Sequence, residues 1–235
     1  MKLEKITEER KGPKRLYEDA CGAAHALDIL GERWALLVVR ELMFGPKRFG
    51  DIRAGLPGIS ANVLTQRLEG LEAAGVLFRR TLPPPGAVKV YELTPWGLEA
   101  EPIFQTLGRW ASRSPFHDPT LSFSAASLML SMRTMIAAER AAGIEAKVGF
   151  RPGAEGFLAR LQDGGITIER ADPEGADVVY TAASPVMAAA IYGGQALSDL
   201  EAAGALSIEG DRALAERFVT LFVLPPKAEF QPGKS

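Results

Sequence analysis

Ser60, Asn62, Thr65, Gln66 and Arg67 lie in a stretch whose apolar residues, Val63, Leu64, Leu68 and Leu71, recur at helical spacing. On a helix from Ala61 to Ala74, with Ser60 as N-cap, those apolar residues make one stripe. Ser60, Asn62, Thr65, Gln66 and Glu69 fall on the opposite face, with Arg67 beside it. Asn, Gln and Arg can each form two parallel hydrogen bonds with a planar base edge, and Ser and Thr suit phosphate oxygens. Arg79, Arg80 and Lys89 follow on two short β-type runs, and Lys47 and Arg48 stand at the start of a short preceding helix. These cations fit a phosphate backbone. A polar helix face is often only a solvated face, so the choice between the two readings rests on the elements around it.

Those elements come in a telling order. Leu27, Leu30, Trp34, Leu37, Val38 and Leu42 have helical spacing across a break at Gly31, and Gly45-Pro46 stops the helix. A second helix is expected over Arg48–Ala54 with Phe49 and Ile52 inward, then a tight turn over Leu56–Ile59. Gly75 is placed to end the third helix in the left-handed conformation. Val76–Thr81 and Val88–Thr94 read as a hairpin with a proline-rich tip. A helix over Leu98–Ala111 closes this half, and Ser112–Thr120 reads as a linker. Residues 1–15 read as a polar arm. Helix, turn, polar-faced helix and basic hairpin make a winged helix-turn-helix, whose third helix reads the major groove of double-stranded DNA.

Composition narrows the remaining classes. The 235 residues allow two domains, with 47% hydrophobic and 24% charged residues. No apolar run is long enough to span a membrane and the first residues do not resemble a secretory signal, so the cytoplasm is expected. One cysteine, Cys21, excludes an internal disulfide, and His25 and His117 are far apart, so no metal site is expected. No phosphate-binding glycine loop or nucleophile–base motif is present, so no catalytic residues, no cofactor and no enzyme are expected. The net charge of −2 hides an asymmetry. Residues 1–115 carry 17 Lys+Arg against 14 Asp+Glu, and residues 116–235 carry 10 against 15. The first half is therefore the one suited to a polyanion.

The run ALDILGERWALLVVRELMFGPKRFGDIRAGLPGISANVLTQRLEGLEAAGVLFRR, with YELTPWG after it, resembles the HxlR-type winged-helix regulators, relatives of the MarR group. The likeness spans about Cys21 to Trp110. It rests on the Gly31–Trp34 motif, GPKRF, GISxxxLTQRL and the Leu-Thr-Pro that closes the wing. The resemblance implies a homodimer paired through segments before Leu27 and after Pro95, reading a roughly palindromic operator and acting as a repressor by occupancy. Cys21 sits where many such regulators carry an N-terminal cysteine, which implies a candidate redox sensor. Glu18 and Asp19 oppose thiolate formation while a helix terminus would favour it, so a small half-buried residue is the other reading. The family often has proline after this cysteine, and here it is Gly22. Trp34, Trp96 and His25 are expected to be packing residues.

In the second half, a long helix is expected over Leu121–Ala142. Strands are expected at Ala146–Phe150, Ile166–Arg170, Ala176–Thr181 and Leu206–Glu209, and helices at Ala154–Leu161, Pro185–Tyr192 and Arg212–Leu224. From Phe150 to Leu224 the chain resembles the sterol-carrier-protein family, through a strand end followed by a helix, a Gly-containing loop and the run GALSIEGD. The resemblance implies an apolar tunnel for a hydrophobic small molecule. Candidate lining residues are Phe157, Leu161, Val186, Met187, Ile191, Leu197, Phe218 and Phe222, which could equally fill a core that serves structure or dimer spacing. The expected fold class is thus α+β: a winged helix-turn-helix DNA-binding and dimerisation domain over residues 1–115, then a small sterol-carrier-like α+β domain over 116–235. The rival reading is a hydrophobic-ligand carrier whose winged helix makes protein contacts.

Overall fold

The computed structural model describes residues 16–84 and 86–229; the polar arm expected over 1–15 and Pro85 at the hairpin tip lie outside them. The first half starts with α1 (Gly22–Leu30), α2 (Ala35–Leu42), α3 (Phe49–Ala54) and α4 (Ala61–Ala73). Strands β1 (Leu77–Thr81) and β2 (Lys89–Leu93) pair antiparallel, Arg79 opposite Tyr91 and Arg80 opposite Val90. Next come α5 (Pro95–Leu98) and α6 (Glu101–Ser112). The expected break at Gly31 is a tight corner. Trp34 caps α2 with φ of 79°, left-handed backbone that a bulky residue adopts at a cost of about 1–3 kcal/mol. Ser60 accepts a hydrogen bond from the Val63 amide, and Gly75 follows the end of α4 at φ +77° as expected.

A second capping device fixes the wing. The Thr94 hydroxyl accepts from the Gly97 amide and donates to the Gly75 carbonyl, tying α5 to the end of α4. A Cβ on Gly97 would lie 2.1 Å from the Val76 carbonyl oxygen, so only glycine lets α5 sit this close to β1.

The second half contains α7 (Ala125–Met135), α8 (Ala138–Ala141), α9 (Ser184–Gly193), α10 (Leu197–Ala202) and α11 (Arg212–Phe218). Its strands are β3 (Ala146–Arg151), β4 (Phe157–Gln162), β5 (Gly165–Glu169), β6 (Val178–Ala182) and β7 (Leu206–Gly210), in the order β5-β4-β3-β6-β7. Only the β3–β6 pair is parallel. Register puts Phe157, Phe150, Tyr180 and Ile208 in one row across the sheet. The Phe150 and Tyr180 rings stack at 5.6 Å, and Phe218 of α11 leans on both. The buried Tyr180 hydroxyl donates to the Ala215 carbonyl at 2.7 Å, and burial pushes its pKa up. Tyr180→Phe keeps the ring packing but orphans that carbonyl; a loss of about 1 kcal/mol in urea unfolding is expected.

Three expectations for this half are corrected, one being the last helix, expected over Arg212–Leu224, which stops at Phe218 because Leu221 to Val223 pair with Met135 to Ala137. The Ala154–Leu161 segment is not a helix: Phe157–Gln162 is the strand β4, bonded to β3 and β5 on both sides. The long helix over 121–142 is shorter and interrupted. Past Met135 the chain turns extended at Ile136, because the C-terminal segment pairs with it: Val223 N donates to Met135 O, and Ala137 N to Leu221 O. The helix α10 was not expected.

The two halves share one contiguous hydrophobic core, running from α2 through α7 to the sheet and α11. Polar contacts line the seam between them. The fully buried Glu41 of α2 accepts from Arg40 (2.8 Å), from the Ser124 hydroxyl that caps α7 (2.7 Å), and from Lys47 (3.4 Å). Arg170 donates to the carbonyls of Phe44 and Pro46 and pairs with Glu155. Arg133 of α7 grips Glu101 of α6 with two hydrogen bonds and lies over the Phe44 ring. No buried side-chain nitrogen or oxygen among the described residues lacks a partner.

Candidate nucleic-acid interface

The face of α4 away from the core is built from short polar side chains. Leu64, Leu68 and Leu71 are buried, which turns Asn62, Thr65, Gln66 and Glu69 to solvent. Ser60, at the cap, is exposed with them. The Thr65 hydroxyl is spent on the Ala61 carbonyl of its own helix, leaving its oxygen lone pairs outward. Asn62 and Gln66 stand one helical turn apart on the same face. Two primary amides so spaced can each address a base edge in a groove that admits a helix.

The cations divide. Arg48, at the N-cap of α3, is exposed. Lys89 is exposed at the start of β2, and no described residue pairs with it. Arg79 pairs with Glu72 at 2.8 Å, and that carboxylate raises its pKa; Arg80 pairs with Glu92 across the hairpin. Both are exposed surface pairs, which hold weakly and can be exchanged for phosphate.

Lys47 and Arg67 do not join this set. Lys47 is only 5% exposed, held between Glu41 and Glu155, because the second half of the chain lies over it. Its backbone bridges to Tyr91 of the wing, so it serves the seam rather than the surface. Arg67 turns back from α4: its Nε donates to the Arg33 carbonyl at 2.9 Å and its Nη2 pairs with Glu32 at 2.8 Å. That anchors the strained Gly31–Trp34 corner. Neither role was readable from the sequence order, which gave only the right neighbourhood. Conversely, Glu41, Arg133, Glu155 and Arg170 escaped sequence reasoning, since their partners lie up to 126 residues away.

Cys21 is exposed rather than half-buried and occupies the N-cap position of α1. No side-chain capping hydrogen bond forms there, but the backbone amides of Ala23 and Ala24 at the start of α1 hold its thiol below the ordinary value. The alkylation rate of Cys21 by iodoacetamide is therefore expected to rise with pH through a midpoint below that of an unstructured thiol; a midpoint at the ordinary value contradicts this. Trp34 packs partly buried against the core, whereas Trp96 is half exposed and His25 exposed.

Of the eight candidate cavity residues, Phe157, Leu161, Met187 and Phe218 are buried in the core and Val186 packs partly buried against it. Ile191, Leu197 and Phe222 are brought together on the wall of a cavity of 490 Å³ between the α9–α10 connection and α11. Among the described residues no group of His, Cys, Asp or Glu could hold a metal, and no helix is long and apolar enough to cross a membrane.

The model of the HxlR-like helix-turn-helix family matches residues 29–117. The uncharacterized HTH-type transcriptional regulator YvaP of Bacillus subtilis is 40% identical over 87 residues, which are 37% of this chain and 81% of YvaP. The HTH-type transcriptional regulator YodB of the same organism is 38% identical over 88 residues, 37% of this chain and 79% of YodB. The solved structure of YodB in its reduced form is 35% identical, covering 43% of this chain and 98% of that one, at a TM-score of 0.38.

Proposed function

This chain belongs to the family of HxlR-like helix-turn-helix proteins, and on that footing we propose that it is a homodimeric transcription regulator, a repressor that reads a roughly palindromic operator in double-stranded DNA. The observation that carries the reading is the outward face of α4, where Asn62 and Gln66 stand free of the core beside a wing that presents Arg80 and Lys89. Asn62 and Gln66 address bases; Ser60, Thr65, Arg48, Arg79, Arg80 and Lys89 meet the backbone. We take residues 1–115 as the DNA-binding and dimerisation part. The exposed Leu27 of α1 and Ile103 and Leu107 of α6 support pairing through these helices, since large apolar side chains gain from leaving water.

Residues 116–235 we take as a sterol-carrier-like part that admits a hydrophobic ligand, in support of which Ile191, Leu197 and Phe222 face a cavity of useful size. Cys21 is a second input: an exposed thiol with a lowered pKa is suited to oxidants. Hydroxyl-radical footprinting of the protein on DNA selected from a random pool tests the main reading. Two protected half-sites about one helical turn apart are expected. A single protected patch, or none, contradicts it.

A further inference from the structure

A second cavity opens at the seam itself. Its volume is 810 Å³, and it lies between α6, the end of α7 and the C-terminal segment at Pro225-Pro226. The chemistry of its wall is mixed in a particular way. Ile136, Pro225, Pro226 and the indole of Trp110 supply apolar surface, and Trp110 is 73% exposed. Arg109, Arg113 and Arg133 line the same space.

Of the three, only Arg133 is neutralised by a carboxylate among the described residues. Arg133 holds Glu101 with both oxygens at 2.7–2.8 Å. Arg109 donates to the Thr134 carbonyl and Arg113 to the Pro226 carbonyl, and neither has a carboxylate partner among the described residues. Two cations with no carboxylate partner among the described residues, beside exposed aromatic and prolyl surface, make a site that prefers negative charge at one end and apolar contact at the other.

We propose that this seam cavity binds an amphipathic carboxylate, an aromatic or medium-chain acid whose head meets Arg109 and Arg113 and whose body lies on Trp110, Ile136 and the two prolines. The site is separate from the cavity lined by Ile191, Leu197 and Phe222. Its occupant touches α6 on one side and α7 with the C-terminal segment on the other, so it bridges the two halves of the chain.

Isothermal titration of the full chain with octanoate and with cinnamate, beside 1-octanol and cinnamyl alcohol, tests the proposal without any DNA. Saturable binding of both acids is expected, with the alcohols roughly tenfold weaker or more because they lack the charge that the arginines recognise. Arg113→Gln, at a position exposed to solvent, should weaken the acids by a similar factor and leave the alcohols unchanged, while Arg113→Lys retains part of the binding. Ala196→Phe, which narrows the other cavity, should have no effect. Circular dichroism of each variant confirms an unchanged fold. Equal affinity for acid and alcohol, loss of binding in Ala196→Phe with none in Arg113→Gln, or no saturable binding of either acid in the millimolar range would overturn the proposal.

Discussion

Replacing Glu41 by alanine is expected to destabilise the protein by about 3–5 kcal/mol, a large share of the stability of a chain this size. The carboxylate is fully buried and takes hydrogen bonds from Arg40, Lys47 and Ser124. Its loss leaves Lys47 buried with only Glu155, at 3.5 Å, as counter-charge, and releases the Ser124 hydroxyl that caps α7. The damage falls on the seam, so both halves should unfold at lower urea. Replacing Glu41 and Lys47 together by leucine and methionine should recover most of the loss, because a well-packed apolar pair avoids desolvating two charges. A single-site effect below 1 kcal/mol, or a double replacement as damaging as Glu41→Ala, contradicts this account of the seam.

The second large effect concerns binding. Asn62→Ala combined with Gln66→Ala should weaken selective DNA binding by at least roughly 30-fold, since each bidentate amide–base contact discriminates by about 1–3 kcal/mol. Both side chains are exposed, so thermal stability should not move. Binding to unrelated DNA should also persist, because it rests on the phosphate contacts that remain. Removing Lys89 should do the opposite: weaken binding to all sequences alike and lower the salt slope by about one. If the amide double variant weakens selective and unrelated binding equally, α4 is not the reading element.

How far the sequence could be read depended on the range of the forces involved. The first half was legible almost element by element, because its signals are local: the apolar stripe of α4, the Ser60 cap, the glycine after α4, the two strands of the wing. Local signals also misled. Ala154–Leu161 is rich in good helix formers, yet Phe157–Gln162 is a strand because β3 and β5 claim its backbone on both edges. Met135 ends α7 for the same kind of reason, a pairing with Val223 that lies 88 residues on. The site was half legible. The polar face of α4 follows from periodicity alone. That Lys47 is sealed beneath the second half, and that Arg67 reaches back to the Arg33 carbonyl, depends on contacts no spacing rule contains.

The wing shows why residue type was not enough. Arg79, Arg80 and Lys89 look alike in sequence, but Glu72 and Glu92 engage the two arginines and leave Lys89 as the cation without a described partner. A phosphate must displace a glutamate to reach either arginine, whereas Lys89 is available at once. Lys89 should therefore carry more of the salt dependence than its position at the edge of β2 suggests.

The most direct measurement is fluorescence anisotropy of the purified protein on DNA from upstream of its own gene and on a scrambled duplex of equal length, across a salt series. The account predicts tight binding to the first, much weaker binding to the second, and a steep fall of both with salt. Equal and weak binding to both duplexes, with no sequence selected from a random pool, would contradict the claim that α4 and the wing form a DNA-reading surface.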